Sequence, residues 1–208
     1  MIATNLYVTR DEVCAALDRF LGLPPDLLAR VVEVWALERR DHDEFRTLGG
    51  AGHSAWDQAT RTLRLGATDF GFVVRNERGV PLAVNPDRGV AVQVLAGDGG
   101  AGDPARNAST KNPRERIARQ VALGQQQLNL FKSATERPAP RYRETWIILP
   151  CFDLEGALRY EVSCAAYINK GRVTTWRDRI FPQFPESRRG SAQVPEPTDE
   201  IVLNVRRR

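Results

Sequence analysis

The chain is poor in the residues that mark most catalytic and metal-bound proteins. Histidine occurs only as His42 and His53, and cysteine only as Cys14, Cys151 and Cys164. Without paired cysteines there is no framework for a thiolate zinc site. An odd number of thiols at scattered spacings predicts reduced cysteines and a cytoplasmic protein. No apolar run approaches the roughly 18 residues that a transmembrane helix needs. Met1 to Tyr7 lacks the basic-then-apolar order of a signal peptide. No Gly-x-Ser-x-Gly elbow occurs, and no Gly-Lys-Ser/Thr sequence opens a helix, so the common serine-hydrolase and phosphate-loop signatures are excluded. Lysine is scarce as well. Of 30 basic residues, only Lys111, Lys132 and Lys170 are lysines.

What remains is an ordinary globular composition. The 208 residues are 42% hydrophobic and 27% charged, enough to build a core without disulfides or metal. The net charge of +4 hides an asymmetry. Residues 1–60 hold six arginines against ten acids, whereas residues 101–208 hold nineteen basic residues against twelve acids. Such an imbalance is a common footprint of an acidic or nucleic-acid partner.

Local patterns predict an α+β domain over 1–182 and a Pro/Ser/Gly/Arg-rich tail over 183–208. Thr9 and Glu12 fit a capping box before an apolar stripe of Val13, Ala16, Leu17, Phe20 and Leu21. Gly22 and Pro24-Pro25 separate this helix from a second, with Leu27, Leu28, Val31 and Trp35 on one face. Residues 46–58, with Gly49, Gly50 and Gly52, read as a loop. Thr62–Leu65, Asp69–Arg75, Val80–Val84 and Val90–Leu95 read as short strands, the last three divided by turn residues. Ala96 to Pro113 reads as a long loop. A central helix is expected from Pro113, with Ile117, Val121, Leu128 and Phe131 on one face. Trp146–Phe152, apolar on both faces, reads as a central strand. It turns at Asp153–Gly156 into the alternating strand that contains Leu158, Tyr160, Val162 and Cys164, followed by Val173–Phe181. Glu200–Val205 has the composition of a late edge strand. The expected architecture is a largely antiparallel sheet of about six strands. Two N-terminal helices and one central helix pack on it.

The chemistry read from these residues is recognition of an anion. Arg106, Lys111, Arg114, Arg116 and Arg119 concentrate positive charge on the long loop and the helix after it, with Arg177 and Arg179 on the last strand to extend the patch. Arginine's planar fork matches phosphate oxygens. Trp176 and Tyr167 offer stacking surfaces for bases. The Gly-rich run Gly97–Gly102 departs from the phosphate-binding loops in length and order, so a surface loop is the simpler reading.

These features point to a binding or regulatory protein for nucleic acid or another phosphate-rich partner, with no cofactor, metal or membrane. Two alternatives stand beside it. One is a protein-interaction module, an inhibitor or assembly subunit, that uses the acidic N-terminal helices. The other is a metal-dependent nuclease or phosphodiesterase. Pro86-Asp87 with Gln93-Val94-Leu95 resembles the opening of the PD-(D/E)xK nuclease pattern. Gln93 is not acidic, however, and Leu95 takes the lysine position. Asp153 with Glu161 is the other acidic pair. No residue is assigned a catalytic role. Asp41-His42-Asp43-Glu44 reads as a charged helix end.

Overall fold

A computed structural model describes residues 4–41, 50–77, 79–111, 142–169 and 172–182. In chain order the elements are β1 (Asn5–Tyr7), α1 (Arg10–Phe20), α2 (Pro25–Arg40) and α3 (Gly50–Ala67). A 3-10 turn (Thr68–Phe70) leads into β2 (Val73–Glu77), β3 (Val80–Asn85) and β4 (Val90–Val94). The last described elements are β5 (Glu144–Phe152), β6 (Leu158–Asn169) and β7 (Arg172–Ile180). The predicted central helix from Pro113, the connector after it and the tail lie outside the described residues. No helix among the described residues is long and apolar enough to cross a membrane.

The α+β class holds, but the sheet is corrected. Among the described residues it has seven strands, in the order β1-β7-β6-β5-β4-β3-β2. It is mixed, because β4 runs parallel to β5 and β1 runs parallel to β7. The β4–β5 correction has a simple cause. Val94 and Glu144 are too far apart in sequence for a tight hairpin, and a long connection lets the chain return to the starting end of the sheet. β1 was missed because three residues are too few to show a period.

The first two helices form as their sequences dictate. The Thr9 hydroxyl accepts from the Glu12 amide at 3.4 Å, and the Glu12 carboxylate accepts from the Thr9 amide at 3.0 Å. These bonds draw the Glu12 pKa below the ordinary carboxylate value. At the other end of α1, Arg88 donates to the carbonyls of Asp18 (2.8 Å) and Arg19 (3.3 Å). A residue far away in sequence thus satisfies orphan carbonyls of the last turn.

The third helix overturns the strand read over Thr62–Leu65 and, from Gly50 onward, the loop read over 46–58. Ala55, Ala59, Leu63 and Ala67 recur every four residues and are buried, which is one face of a helix. Glycine serves close packing in this helix at Gly66. A Cβ at Gly66 would lie 2.3 Å from Leu27 Cδ1 on α2. Burial of this face against α2 outweighs the cost of glycine and β-branched threonine in a helix, about 0.5–1 kcal/mol each.

The sheet separates two apolar cores. Trp146, Ile148, Val162 and Cys164 face the helices. Ile147, Leu149, Cys151, Ala165 and Trp176 face the other way. β5 is therefore buried on both sides, as its uniformly apolar sequence predicts. On the second face lies the segment after β4. It is not a loose loop: Ala101 and Ala108 are each 1% exposed. Asp98 N donates to Ser109 O, and Lys111 N donates to Ala96 O, both at 2.9 Å.

Candidate functional site

The loop over the second face is clamped by a buried ion pair. Arg179 is 3% exposed and Glu161 is fully buried. Arg179 Nε donates to Glu161 Oε1 at 3.0 Å, and its Nη2 reaches Oε2 of the same carboxylate. The remaining donors hold loop carbonyls: Nη1 bonds Arg106 O at 2.8 Å and Nη2 bonds Asp103 O at 3.3 Å. Glu161 also accepts from Gly102 N (2.9 Å) and from the Ser163 hydroxyl (2.7 Å). Both partners are well supplied with hydrogen bonds, which is the condition under which a buried pair is tolerated. Cys151 donates to Ala101 O at 3.1 Å beside them. Burial, and next the Glu161 charge, push that thiol up to about 11.

Arg177 serves a different place. Cys164 pairs with Asp178 and Ala165 with Trp176, so Arg177 falls at a bulge. Its guanidinium bonds Glu144 at 2.9 Å and Asp178 at 2.6 Å, on the helix side of the sheet with Cys164. These bonds, Glu144's foremost, raise the Arg177 pKa further. Asp178 also accepts from Asn5 Nδ2 at 2.9 Å, which ties β1 to β7. Arg177 and Arg179 thus do not converge on one surface. Of the other basic residues, Arg106 and Lys111 are exposed on the clamped loop, and Arg106 Nη1 donates to Gly99 O at 3.1 Å. Arg114, Arg116 and Arg119 lie outside the described residues, as do His42 to Glu44. Trp176 is 2% exposed and donates its indole N–H to Ala108 O at 2.8 Å, so it anchors the loop and offers no stacking face. The side chain of Tyr167 lies outside the described part.

The carboxylates of the acidic pair are each engaged by an arginine. Asp153 is bound by Arg159 at 2.9 Å and Glu161 by Arg179. Asp87 precedes Val90, which pairs with Glu144, whereas Glu161 pairs with Leu149, five residues further along β5. Among the described residues, no group of three or more His, Cys, Asp and Glu side chains is placed to hold a metal ion.

A second site was not anticipated. Between α3 and the β2–β3 hairpin lies an open groove of about 590 Å³. Trp56, Thr60, Arg61, Arg64 and Leu65 line it from α3, and Val74 and Asn76 line it from β2. The strand residues are placed by register. Val74 is opposite Ala83, whose side chain belongs to the helix-side core, so Val74 and Asn76 face α3. Arg61 and Arg64 have no hydrogen-bond or ion-pair partner among the described residues, and Asp57 is the one acid of the lining. The Thr60 hydroxyl is buried there without a partner among the described residues. Trp56 is half-buried, while Trp35, Trp146 and Trp176 are each at most 5% exposed.

The chain matches no protein-family model, no curated protein and no solved structure.

The groove escaped sequence reading because α3 was divided between a loop and a strand. Read as one helix, Trp56, Thr60 and Arg64 are successive i, i+4 neighbours, and Asp57, Arg61 and Leu65 form the adjacent row. That spacing was the available signal.

Proposed function

We propose that the protein is a binding module for an anionic partner, with nucleic acid, another phosphate-rich molecule and acidic protein as the candidate classes. The observation that carries this reading is the pair Arg61 and Arg64, unpaired among the described residues and set beside Trp56 in an open groove. A guanidinium left free at the rim of a concave surface is an available bidentate donor for carboxylate or phosphate. A hydrogen bond to a charged group contributes about 1.5–3 kcal/mol. The exposed Arg106 and Lys111 add positive charge at a second place. The overall charge of +4 attracts such a partner over distance.

The test is a titration followed by Trp56 fluorescence, since the other three tryptophans are buried. Single-stranded DNA, duplex DNA, RNA and polyglutamate serve as probes at low and high salt. At least one should bind, with affinity that falls as salt rises. Replacing Arg61 and Arg64 together by Ala should weaken it at least about tenfold, equivalent to roughly 1.4 kcal/mol. The loss from replacing Arg106 and Lys111 by Ala should be smaller. Failure of every probe to bind at low salt would overturn the proposal.

A further inference from the structure

We propose that the groove and the strand beside it receive an extended, acidic segment of another protein, added to the sheet along β2. The proposal rests on the reading of Arg61 and Arg64 as an anion site and adds the class of partner.

β2 is the last strand of the sheet, with β3 on one side and no strand on the other among the described residues. Its outward N–H and C=O groups are therefore a template for a further strand. Edge strands are commonly protected by proline, a bulge or inward charge. β2 has no proline, and its five pairs with β3 run without a register break. Its two charges, Arg75 and Glu77, are opposite Leu82 and Val80, on the face away from α3. On that face Glu77 accepts from the Tyr142 hydroxyl at 3.0 Å. The α3 side of the edge carries only Val74 and Asn76.

Apolar surface is exposed at the same place: Leu65 (65%) and Val74 (49%) both line the groove. Large apolar side chains gathered at one site, rather than scattered, mark an interaction surface. An added strand would gain backbone hydrogen bonds from β2. Its α3-facing side chains would meet Leu65 and Val74, with carboxylates at Arg61 and Arg64. This is strand addition with pocket-based specificity. Nucleic acid meets the arginines equally well, but it has no backbone that continues a β-ladder and no use for the Leu65–Val74 apolar surface.

The experiment titrates the full chain with a short peptide of alternating aspartate and valine, read by Trp56 fluorescence. The expected result is binding that weakens at least about tenfold, roughly 1.4 kcal/mol, in R61E/R64E and also in L65S/V74S. Methylation of alternate peptide amides should abolish binding, because it removes the ladder donors. Hydrogen exchange at the β2 amides should slow when peptide is bound. Thermal unfolding of both variants should match the parent chain, since all four side chains sit at the groove surface. Binding of single-stranded DNA through Arg61 and Arg64 without peptide binding would leave the anion site standing and overturn the strand proposal. Self-association lost in L65S/V74S would overturn it in favour of a second copy of the chain. Equal binding of the methylated peptide would also overturn it. If neither peptide nor nucleic acid binds, the anion-site reading falls too.

Discussion

At the scale of single residues, the most constrained group is the pair Glu161 and Arg179. It sits between sheet and loop with both charges removed from water. Removing one partner strands the other, so Glu161→Ala should destabilise the fold by about 3–5 kcal/mol. The double change Glu161→Leu with Arg179→Met should cost less than either single change, because no buried charge remains. Denaturant titration of the three variants checks this. A double variant as unstable as the sum of the singles would show that the loop contacts, rather than the charges, decide stability. The sequence showed both residues but assigned Arg179 to a phosphate-binding patch. Its position on the last strand was legible, but the loop that folds over that face was not.

At the scale of elements, the loop from Gly97 to Lys111 and helix α3 were read least well, and for related reasons. Glycine was taken as a sign of a surface loop in both. In the loop, a Cβ at Gly100 would lie 2.3 Å from the backbone oxygen of Asn107, whereas Gly99 has open space around it. Gly100→Ala should therefore destabilise by about 1–3 kcal/mol through a clash with backbone that has little room to move. Gly99→Ala should be close to neutral. Comparing their unfolding midpoints separates close packing from flexibility, and equal midpoints would contradict it. The loop should also resist limited proteolysis, and the amide of Gly102, bonded to Glu161, should exchange slowly. In α3, small residues likewise serve packing, at Gly66 against Leu27.

For the whole molecule, the buried titratable groups set a stability limit at alkaline pH. Burial, above all, raises Cys151 to about 11 and Cys164 to about 12, from an ordinary 9.0. Tyr160 is raised for the same reason. Above about pH 9 the unfolded chain has lost thiol protons that the folded chain still holds, so stability falls as pH rises. The contribution is complete below the unfolded values and fades as pH climbs through the folded ones. The urea midpoint should hold steady from about pH 7 to 8.5 and decline by about pH 10, whereas a flat profile would mean that the thiols titrate alike in the folded and unfolded chain. At the sheet's centre, Ile148→Ala should cost about 2–5 kcal/mol, since the side chain is fully buried between β5 and the helices.

The sequence by itself determined the elements whose signal is local: the capping box of α1, the proline start of α2, the doubly apolar β5, and the hairpins that carry β2 to β4 and β5 to β7. It also determined the α+β class, because separated helices and hairpin-linked strands leave few ways to bury both. Tertiary structure alone decided the parallel pairing of β4 with β5 and the capping of α1 by Arg88. It also decided the bulge that turns Arg177 away from Arg179, and the helical state of Gly50–Ala67. Each of these depends on contacts between residues distant in the chain, and no local period encodes them. The groove at Arg61 and Arg64 is of this second kind. Its charges are visible in the sequence, but their convergence beside Trp56 and the β2 edge exists only once α3 packs on the sheet.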